Sequence, residues 1–567
     1  MKRKILYIFT LLMLVGGLSC TVTASVRTSY GMETDSIGYL NTVPGQSTLY
    51  IKKYDLTIKG QDTGEVTYFV LPSYADLTFI SQDNSEYRIY TADGSLLSDP
   101  MLQTTQSVTV TDGEDTATEW KVAFLRSEGM YTVFIGLHDA EADDISKQEY
   151  LEASIEIKNE DGMLDRIDKS IGIKARGNTT YLYSKKKPYD LQLSSRQSLM
   201  GLLPAKKWTL LANSLDGTNM RNKIALDLAG DIGMEYSTDS KWCDLYINGE
   251  YRGNYLLCKE PKIGKGRVDI NGYLVKRDDR GDSGLTELYI GDDIFKVADT
   301  THADGDMQDM LELLTRVDEE LNADGAPDMS HIDVESFAKR YLLEEFVLNR
   351  DAMGLSYYFY KKDGEERLHA GPCWDYDKSC GNGGYTDYTR TQKDYKPDAL
   401  NWDHRLCEDE RYKEVLSDVF AENYGAFYDV ISKRIDEYED ELSGAVCPDR
   451  LLWESEDEKE DMYDGYESRV RYLKFFLYHR LQLLSDLTGY QGDMPDINVS
   501  EGGWHTLYLD RGDGQVSSMT VADGAQLTEE DLPEYDHMRY GGWVYTRNGQ
   551  KASPLYPVFE DMRLELR

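Results

Sequence analysis

The chain has 567 residues, enough for several domains, with 40% hydrophobic and 11% aromatic content to pack them. Lys and Arg number 62 against 102 Asp and Glu, a net charge of −40. A surface that acidic repels nucleic acid and anionic lipid, which excludes both as partners, and it tolerates or attracts basic proteins.

The first residues read as a targeting segment. Lys2-Arg3-Lys4 is a basic start, and Ile5 to Leu18 is an apolar stretch of about 14 residues, short for a membrane span. Val22-Thr23-Ala24 offers a small-residue cleavage site before Ser25, so residues 1–24 are expected to be a signal peptide. Gly17-Leu18-Ser19-Cys20 is a degenerate lipoprotein signal, which leaves lipid attachment through Cys20 as the alternative. No other long apolar run follows, so the mature chain is expected to be exported, secreted or held at the cell surface, without a membrane span. The remaining cysteines are Cys243, Cys258, Cys373, Cys380, Cys407 and Cys447. They are either bridged, as export permits, or free in a core large enough to need no staples. No CxxC and no HExxH occurs, so a zinc site is not indicated.

Residues 40–126 alternate apolar and polar positions between turns: Leu49-Tyr50-Ile51, Val66–Val70, Tyr87–Tyr90 and Ser107–Val110. This period predicts short antiparallel strands and a β-sandwich, read as immunoglobulin-like. Tyr131–Ile135 and Ala153–Ile157 continue as strands. Met220–Ile232 has helical spacing, and Lys241–Leu257 reads as a hairpin turning at Asn248-Gly249. Helices are predicted over Asp306–Asn322, Asp333–Asn349, Glu408–Leu442 and Ser468–Leu487. This switch from strands to helices near residue 300 suggests a two-lobed enzyme with its site between the lobes. The acidic run Glu454–Asp461 is expected to be a solvated face or a docking surface for a basic substrate. Residues 495–567 return to strands, Trp504–Leu509, Val516–Val521 and Met562–Leu566. With Val521-Ala522-Asp523-Gly524, Leu532-Pro533 and Gly541-Gly542-Trp543 between them, they resemble an internalin-type B repeat, a small β-grasp module of bacterial surface proteins.

The most telling stretch is Gly371-Pro372-Cys373-Trp374-Asp375-Tyr376-Asp377-Lys378-Ser379-Cys380-Gly381-Asn382. Asp375 and Asp377 sit two apart behind Trp374, and Asp351 ends an apolar run upstream. Acids this close repel unless a cation sits between them, and a hard cation so held can also bind phosphate oxygens. Taken alone, Trp-Asp-Tyr-Asp reads equally as an ordinary turn.

Other segments occur with it, in order. They are Lys174–Thr180, Lys185–Leu193, Ala205–Asn213, Met220-Arg221-Asn222, Leu245–Tyr255, Lys265–Val268, Asn349-Arg350-Asp351 and Trp374–Asp377. Together, within residues 130–490, they resemble the CotH family of atypical protein kinases, named for a bacterial spore-coat kinase. The resemblance implies an α+β multidomain chain. A two-lobed protein-kinase-like domain at 130–490 would be flanked by an N-terminal β-sandwich at 40–126 and a β-grasp-like module at 495–567. It implies transfer of the ATP γ-phosphate, with Mg²⁺ or Mn²⁺, to Ser/Thr of a protein acceptor, here expected to be basic and Ser/Thr-rich.

Carried onto this chain, Asp351 stands where the family has its catalytic-loop aspartate, able to orient the acceptor hydroxyl and take its proton. Asp375 matches the metal-binding aspartate, with Asp377 as a second ligand or hinge. Arg176 and Asn178 match the motif loop of the smaller lobe. Lys186 and Lys187 are placed on the following strand, with either one facing the nucleotide; the alternative is a solvated strand edge. Arg221 contacts phosphate or else pairs with Asp216. Two positions depart from the pattern. Ser356 stands where members have an asparagine that ligates a second metal, and Cys258-Lys259-Glu260 shifts by one the acid expected to pair with the nucleotide lysine. These departures support a second reading, a catalytically silent surface scaffold. A glycan-active enzyme finds no separated pair of carboxylates.

Overall fold

The computed structural model describes residues 9–15, 18–24, 36–41, 47–82, 86–99, 101–112, 117–280, 284–302, 305–396, 401–453 and 463–567. The acidic run Glu454–Asp461 and most of the targeting segment's basic start lie outside them. Phe9–Val15 and Leu18–Ala24 pair antiparallel as a two-stranded sheet of their own. The rest is α+β, built of several sheets and a set of helices. No helix among the described residues is long and apolar enough to cross a membrane. The chain divides into two compact units. The first takes Met1–Ala212, Lys241–Leu257 and Asp440–Ser455; the second takes Asn213–Ser240, Cys258–Glu439 and Glu456–Arg567.

In the first unit, two sheets face each other. One orders Leu56–Lys59, Thr48–Ile51, Ile37–Asn41 and Phe79–Gln82; the other orders Gln61–Asp62, Thr67–Leu71, Ala117–Arg126, Thr105–Thr111 and Arg88–Thr91. Leu40, Leu49 and Ile58 from the first meet Phe69, Val108 and Phe124 from the second in one buried cluster. The pairing is mixed, not wholly antiparallel as the alternation suggests, because Ile37–Asn41 runs parallel to Phe79–Gln82 and Thr67–Leu71 parallel to Ala117–Arg126. A period-two pattern states which face is buried, but it carries no information on strand direction.

The remaining strands of this unit close a seven-stranded barrel. Its order is Tyr131–Leu137, Leu151–Lys158, Leu164–Ala175, Tyr189–Gln197, Ala205–Leu211, Glu250–Cys258 and Lys241–Ile247, and the last pairs parallel with the first. Along Leu151–Lys158 the inward residues alternate, Ala153, Ile155 and Ile157, and they fill the barrel with Ile173, Leu191 and Trp208. The predicted hairpin turns at Asn248 (φ 51°) and Gly249 (φ 79°), with Ile247 opposite Glu250. Both turn residues lie in the left-handed region, as a two-residue turn with native twist requires. Gly249 has a second reason to lack a side chain: a Cβ there would stand 2.7 Å from the Thr57 carbonyl oxygen. The Tyr246 hydroxyl donates to the Val70 carbonyl at 2.9 Å, tying barrel to sandwich.

The second unit does not begin at the strand-to-helix switch near residue 300. Gly272–Arg277 pairs with Tyr357–Lys362, and this long-range register draws the earlier strands in with the helices. The resulting sheet orders Glu287–Ile290, Asp293–Thr300, Gly272–Arg277, Tyr357–Lys362 and His369–Ala370. The helices are Arg221–Asp231, Gln308–Leu321, Val334–Val347, Glu410–Asp429 and Tyr466–Thr488. The single helix expected over Glu408–Leu442 is interrupted by a π turn at Val430–Arg434 before Ile435–Trp453 resumes. At the C-terminus, Val516–Ala522, Trp504–Asp510, Met562–Leu566 and Trp543–Tyr545 form a four-stranded sheet in that order, its central pair parallel. None of the six cysteines after Cys20 is in a disulfide, and Cys243, Cys258, Cys373 and Cys380 are buried. A core of this size needs no staples, so the bridged alternative falls away.

Candidate functional site

Asp351 is placed by the end of a helix. Val334–Val347 starts at Asp333, whose carboxylate accepts from the Ser336 N–H at 2.9 Å, and it stops where Leu348 takes φ 45°. The left-handed residue turns the chain out of the helix. In the loop that follows, the Asn349 carboxamide oxygen accepts from the Asp351 N–H at 3.1 Å. The Arg350 N–H donates to the Lys378 carbonyl at 3.1 Å, which fastens this loop to the Asp375–Asp377 segment. Ser356, at φ 53°, then leads into strand Tyr357–Lys362.

Asp375 follows the short strand His369–Ala370 and also lies in the left-handed region, at φ 75°. Non-glycine residues adopt such angles at a cost of about 1–3 kcal/mol, and the surrounding bonds must impose it. Those bonds are present. The Ser356 hydroxyl donates to Asp375 Oδ2 at 3.2 Å. The Tyr376 N–H donates to the Asn222 carboxamide at 2.8 Å, and its hydroxyl donates to Glu344 Oε1 at 2.9 Å. The Asn382 carboxamide donates to the Asp377 carbonyl at 2.7 Å. The tyrosine between the two acids is therefore a peg, and the acids flank it.

The electrostatics mark the three carboxylates as one group. Burial raises the Asp351 pKa from its ordinary value, and the charge of Asp375 adds to the rise. Asp377 is pushed up to about 8, first by burial and then by Asp375 and Asp351. The Lys378 ammonium opposes both shifts. A carboxylate that the protein leaves so poorly compensated favours either a proton or a cation. The donors are all oxygens (Asp351, Asp375, Asp377 and the Ser356 hydroxyl), a set that suits Mg²⁺ or Mn²⁺ and not zinc. Among the described residues, no three His, Cys, Asp or Glu side chains converge into a complete metal cage.

Glu344 is a residue that the sequence reading missed. It lies in the helix behind the site, fully buried, and burial pushes its pKa up to about 7. It accepts from the Tyr376 hydroxyl at 2.9 Å, so its carboxylate braces the Asp375–Asp377 segment. Arg340, one turn earlier, is its buried cation and stacks on the Tyr357 ring with 3.5 Å to the centroid. The available signal was Glu344-Glu345 inside the otherwise apolar run Leu342–Val347. Buried acids in such a run must have specific partners. Glu345 has one in Arg480, at 2.9 Å with both side chains fully buried.

The cationic positions singled out for nucleotide are all engaged by the protein. Lys186 and Lys187 do not lie on a strand; they occupy the bend before Tyr189–Gln197, so the two-face argument does not apply to them. Lys186 is buried, pairs with Asp449 at 2.7 Å and donates to the Asn254 carbonyl at 2.6 Å. Its acidic partner is thus Asp449 and not Glu260. A Cβ at Gly253 would collide with the Asp449 carboxylate and approach the Lys186 Cε at 2.9 Å, which explains the glycine. Lys187 donates to the Tyr181 and Ser184 carbonyls, both at 2.6 Å. Arg176 pairs with Asp190 at 3.0 Å, and Asn178 accepts from the Lys147 ammonium at 3.0 Å. Arg221 pairs with buried Asp216 and donates to the Ser379 carbonyl at 3.0 Å, which decides between the two alternatives for it. Asp351, Ser356, Asp375, Asp377 and Arg221 belong to the second unit; Arg176, Asn178, Lys186 and Lys187 belong to the first.

No curated protein matches the chain. The family model described as CotH kinase protein matches residues 173–484, more than half of the chain and including every residue discussed above from Arg176 to Arg480. The chain belongs to the CotH kinase family.

Proposed function

We propose that the protein is an exported phosphotransferase that moves the γ-phosphate of ATP to Ser/Thr of a protein acceptor with a divalent cation, Mg²⁺ or Mn²⁺. The observation that carries this reading is the fastening of the Asp351 loop to the Asp375–Asp377 segment, by the Arg350 N–H on the Lys378 carbonyl and the Ser356 hydroxyl on Asp375, with the Asp375 charge acting on both Asp351 and Asp377. In it Asp375, steadied by Ser356, and Asp377 would hold the cation. Asp351 would accept a hydrogen bond from the acceptor hydroxyl and take its proton as the hydroxyl oxygen attacks. The cation supplies neutralisation of the phosphate charge. Glu344 holds the Asp375–Asp377 segment in place through Tyr376.

Export rests on the basic and apolar start of the chain, with attachment through Cys20 as the alternative. The C-terminal β-grasp reading is supported by the strand order, a hairpin whose first strand lies parallel beside the last. The net charge of −40 favours a basic acceptor.

The test is transfer of labelled phosphate from ATP with Mg²⁺ or Mn²⁺, beside Asp351→Ala and Asp375→Asn. A basic Ser-rich acceptor is supplied and autophosphorylation is scored. Incorporation lost in both variants supports the assignment. Absence of incorporation by the wild type, with no stabilisation by ATP, would make the family fold here a binding scaffold.

A further inference from the structure

The cations near Asp351 are not those that the sequence motifs suggest. Lys378, Lys396 and Arg280 are the positive groups that act on its carboxylate. Arg280 is already beside Asp278, at 3.5 Å. Lys396 has no carboxylate within ion-pairing distance among the described residues, and its ammonium donates to the Ala352 carbonyl at 2.9 Å, one residue from Asp351.

Its position is built. Lys396 ends the short helical turn Gln392–Tyr395, whose start is a reciprocal cap between Thr391 and Asp394. Gln392 is fully buried; its N–H donates to the Glu345 carboxylate at 3.0 Å and its side chain to the Asn349 carbonyl at 2.9 Å. Arg480 donates to the Tyr388 carbonyl at 2.8 Å while paired with Glu345. The turn is thus locked to the Asp351 loop at both ends, by Gln392 on Asn349 and by Lys396 on Ala352. Gly354 adjoins both groups: a Cβ there would lie 3.4 Å from the Lys396 ammonium and from the Arg277 guanidinium. Arg277 is itself engaged by Asp293 at 2.6 Å and by the Met353 carbonyl at 2.6 Å.

We propose that Lys396 contacts the transferring phosphoryl group of a nucleoside triphosphate and neutralises its charge as it moves to the acceptor hydroxyl at Asp351. This rests on the phosphotransferase reading given above. In the step, the bond from the γ-phosphorus to the β,γ-bridging oxygen breaks and a bond to the acceptor oxygen forms. The acceptor proton passes to Asp351, and the nucleoside diphosphate leaves with the bridging oxygen's electron pair. A second observation agrees with this assignment. Burial lowers the Lys396 pKa, with the Arg277 charge adding to the fall and Asp351 opposing it, as befits an ammonium partly desolvated without an ion-pair partner of its own. Such a group gains from an incoming phosphate oxygen what it lacks from the protein.

The experiment compares wild type, Lys396→Met and Lys396→Arg by calorimetric binding of a non-hydrolysable ATP analogue and of ADP, each with Mg²⁺. Lys396→Met is expected to lose about 10–100-fold in affinity for the analogue while ADP affinity stays within about twofold, and Lys396→Arg to recover most of the loss. Equal loss for both nucleotides would assign Lys396 a structural role through the Ala352 carbonyl and overturn the proposal, as would no loss for either. A wild type that binds neither nucleotide overturns the phosphotransferase reading and this proposal with it. A wild type that binds and transfers normally beside an unaltered Lys396→Met overturns this proposal alone.

Discussion

Two places in the molecule gather charge at family motifs, and they handle it in opposite ways. In the first unit, Lys186 meets Asp449 and the Asn254 carbonyl, and Arg176 meets Asp190. Both of these cations have an opposite charge within 3.0 Å. In the second unit, Asp351 and Asp377 both feel the charge of Asp375, and the pKa of each is raised, first by burial and then by that charge. A motif charge satisfied inside the protein holds the fold. One left uncompensated is the place where a ligand supplies what is missing. The comparison is broken most forcefully at Asp375. Asp375→Asn keeps a residue tolerant of φ 75°, which alanine tolerates less well, so it removes the charge with the least strain. Transfer is expected to fall by about 10³-fold and Mg²⁺-dependent nucleotide binding to be lost, with the melting temperature little changed. Undiminished affinity for the Mg²⁺–nucleotide complex in that variant would sink the assignment.

The complementary change is Lys186→Met. It leaves Asp449 buried without its lysine, the Asn254 N–H at 2.9 Å remaining against its charge. Removing one partner of a buried pair costs about 3–5 kcal/mol, so denaturant unfolding of the first unit should move to clearly lower concentration. Nucleotide affinity, measured under conditions where the variant is folded, should change much less. Full stability combined with weakened ATP binding would show that Lys186 serves nucleotide and that the contrast between the two units is wrong.

Glu344 sharpens the contrast, because it is a buried acid in the second unit whose hydrogen bonds, and not its charge, serve the site. Glu344→Gln preserves an oxygen for the Tyr376 hydroxyl and should cost less than about tenfold in metal affinity. Glu344→Leu removes the brace and should cost about 10–100-fold, the usual range for groups that orient ligands. Titration of Mn²⁺ followed by electron paramagnetic resonance separates the two. Equal effects of Gln and Leu would mean that the negative charge beside Arg340 is what matters.

Much of this arrangement was legible in the sequence, and the failures share one cause. Local signals performed well. The Asn248-Gly249 turn, the helix at Arg221–Asp231 and the helix starting at Asp333 lie where the turn residues and the apolar spacing placed them. Asp351, Asp375, Asp377 and Ser356 lie in one unit, with the Ser356 hydroxyl on Asp375. What local signals cannot carry is the identity of distant partners. Asp449 lies 263 residues beyond Lys186, so nothing near the lysine run announced the pair. Gln392 and Lys396 reach the Asp351 loop across more than 40 residues for the same reason. The parallel strand pairs in the sandwich were hidden because alternation is blind to direction.

The smallest expected effect is also the one that joins charge to stability most directly. Asp351 and Asp377 have pKa values raised in the fold, Asp377 to about 8, while in the unfolded chain both titrate near the ordinary carboxylate value. The folded state therefore holds more protons than the unfolded state between about pH 4 and 8. Their contribution to stability is fully present below the unfolded value and is lost as pH rises through the folded one. Without a divalent cation, the melting temperature should decline over this window by an amount equivalent to on the order of 1 kcal/mol, since solvent screens part of the repulsion. A cation binds the ionised form, so stabilisation by Mg²⁺ should grow from pH 5 to pH 8. Asp377→Asn should flatten both trends, whereas Asp449→Asn, which alters a charge already paired, should leave the difference made by Mg²⁺ as it is. If Mg²⁺ stabilises equally at the two pH values, the acidic group is not where it binds.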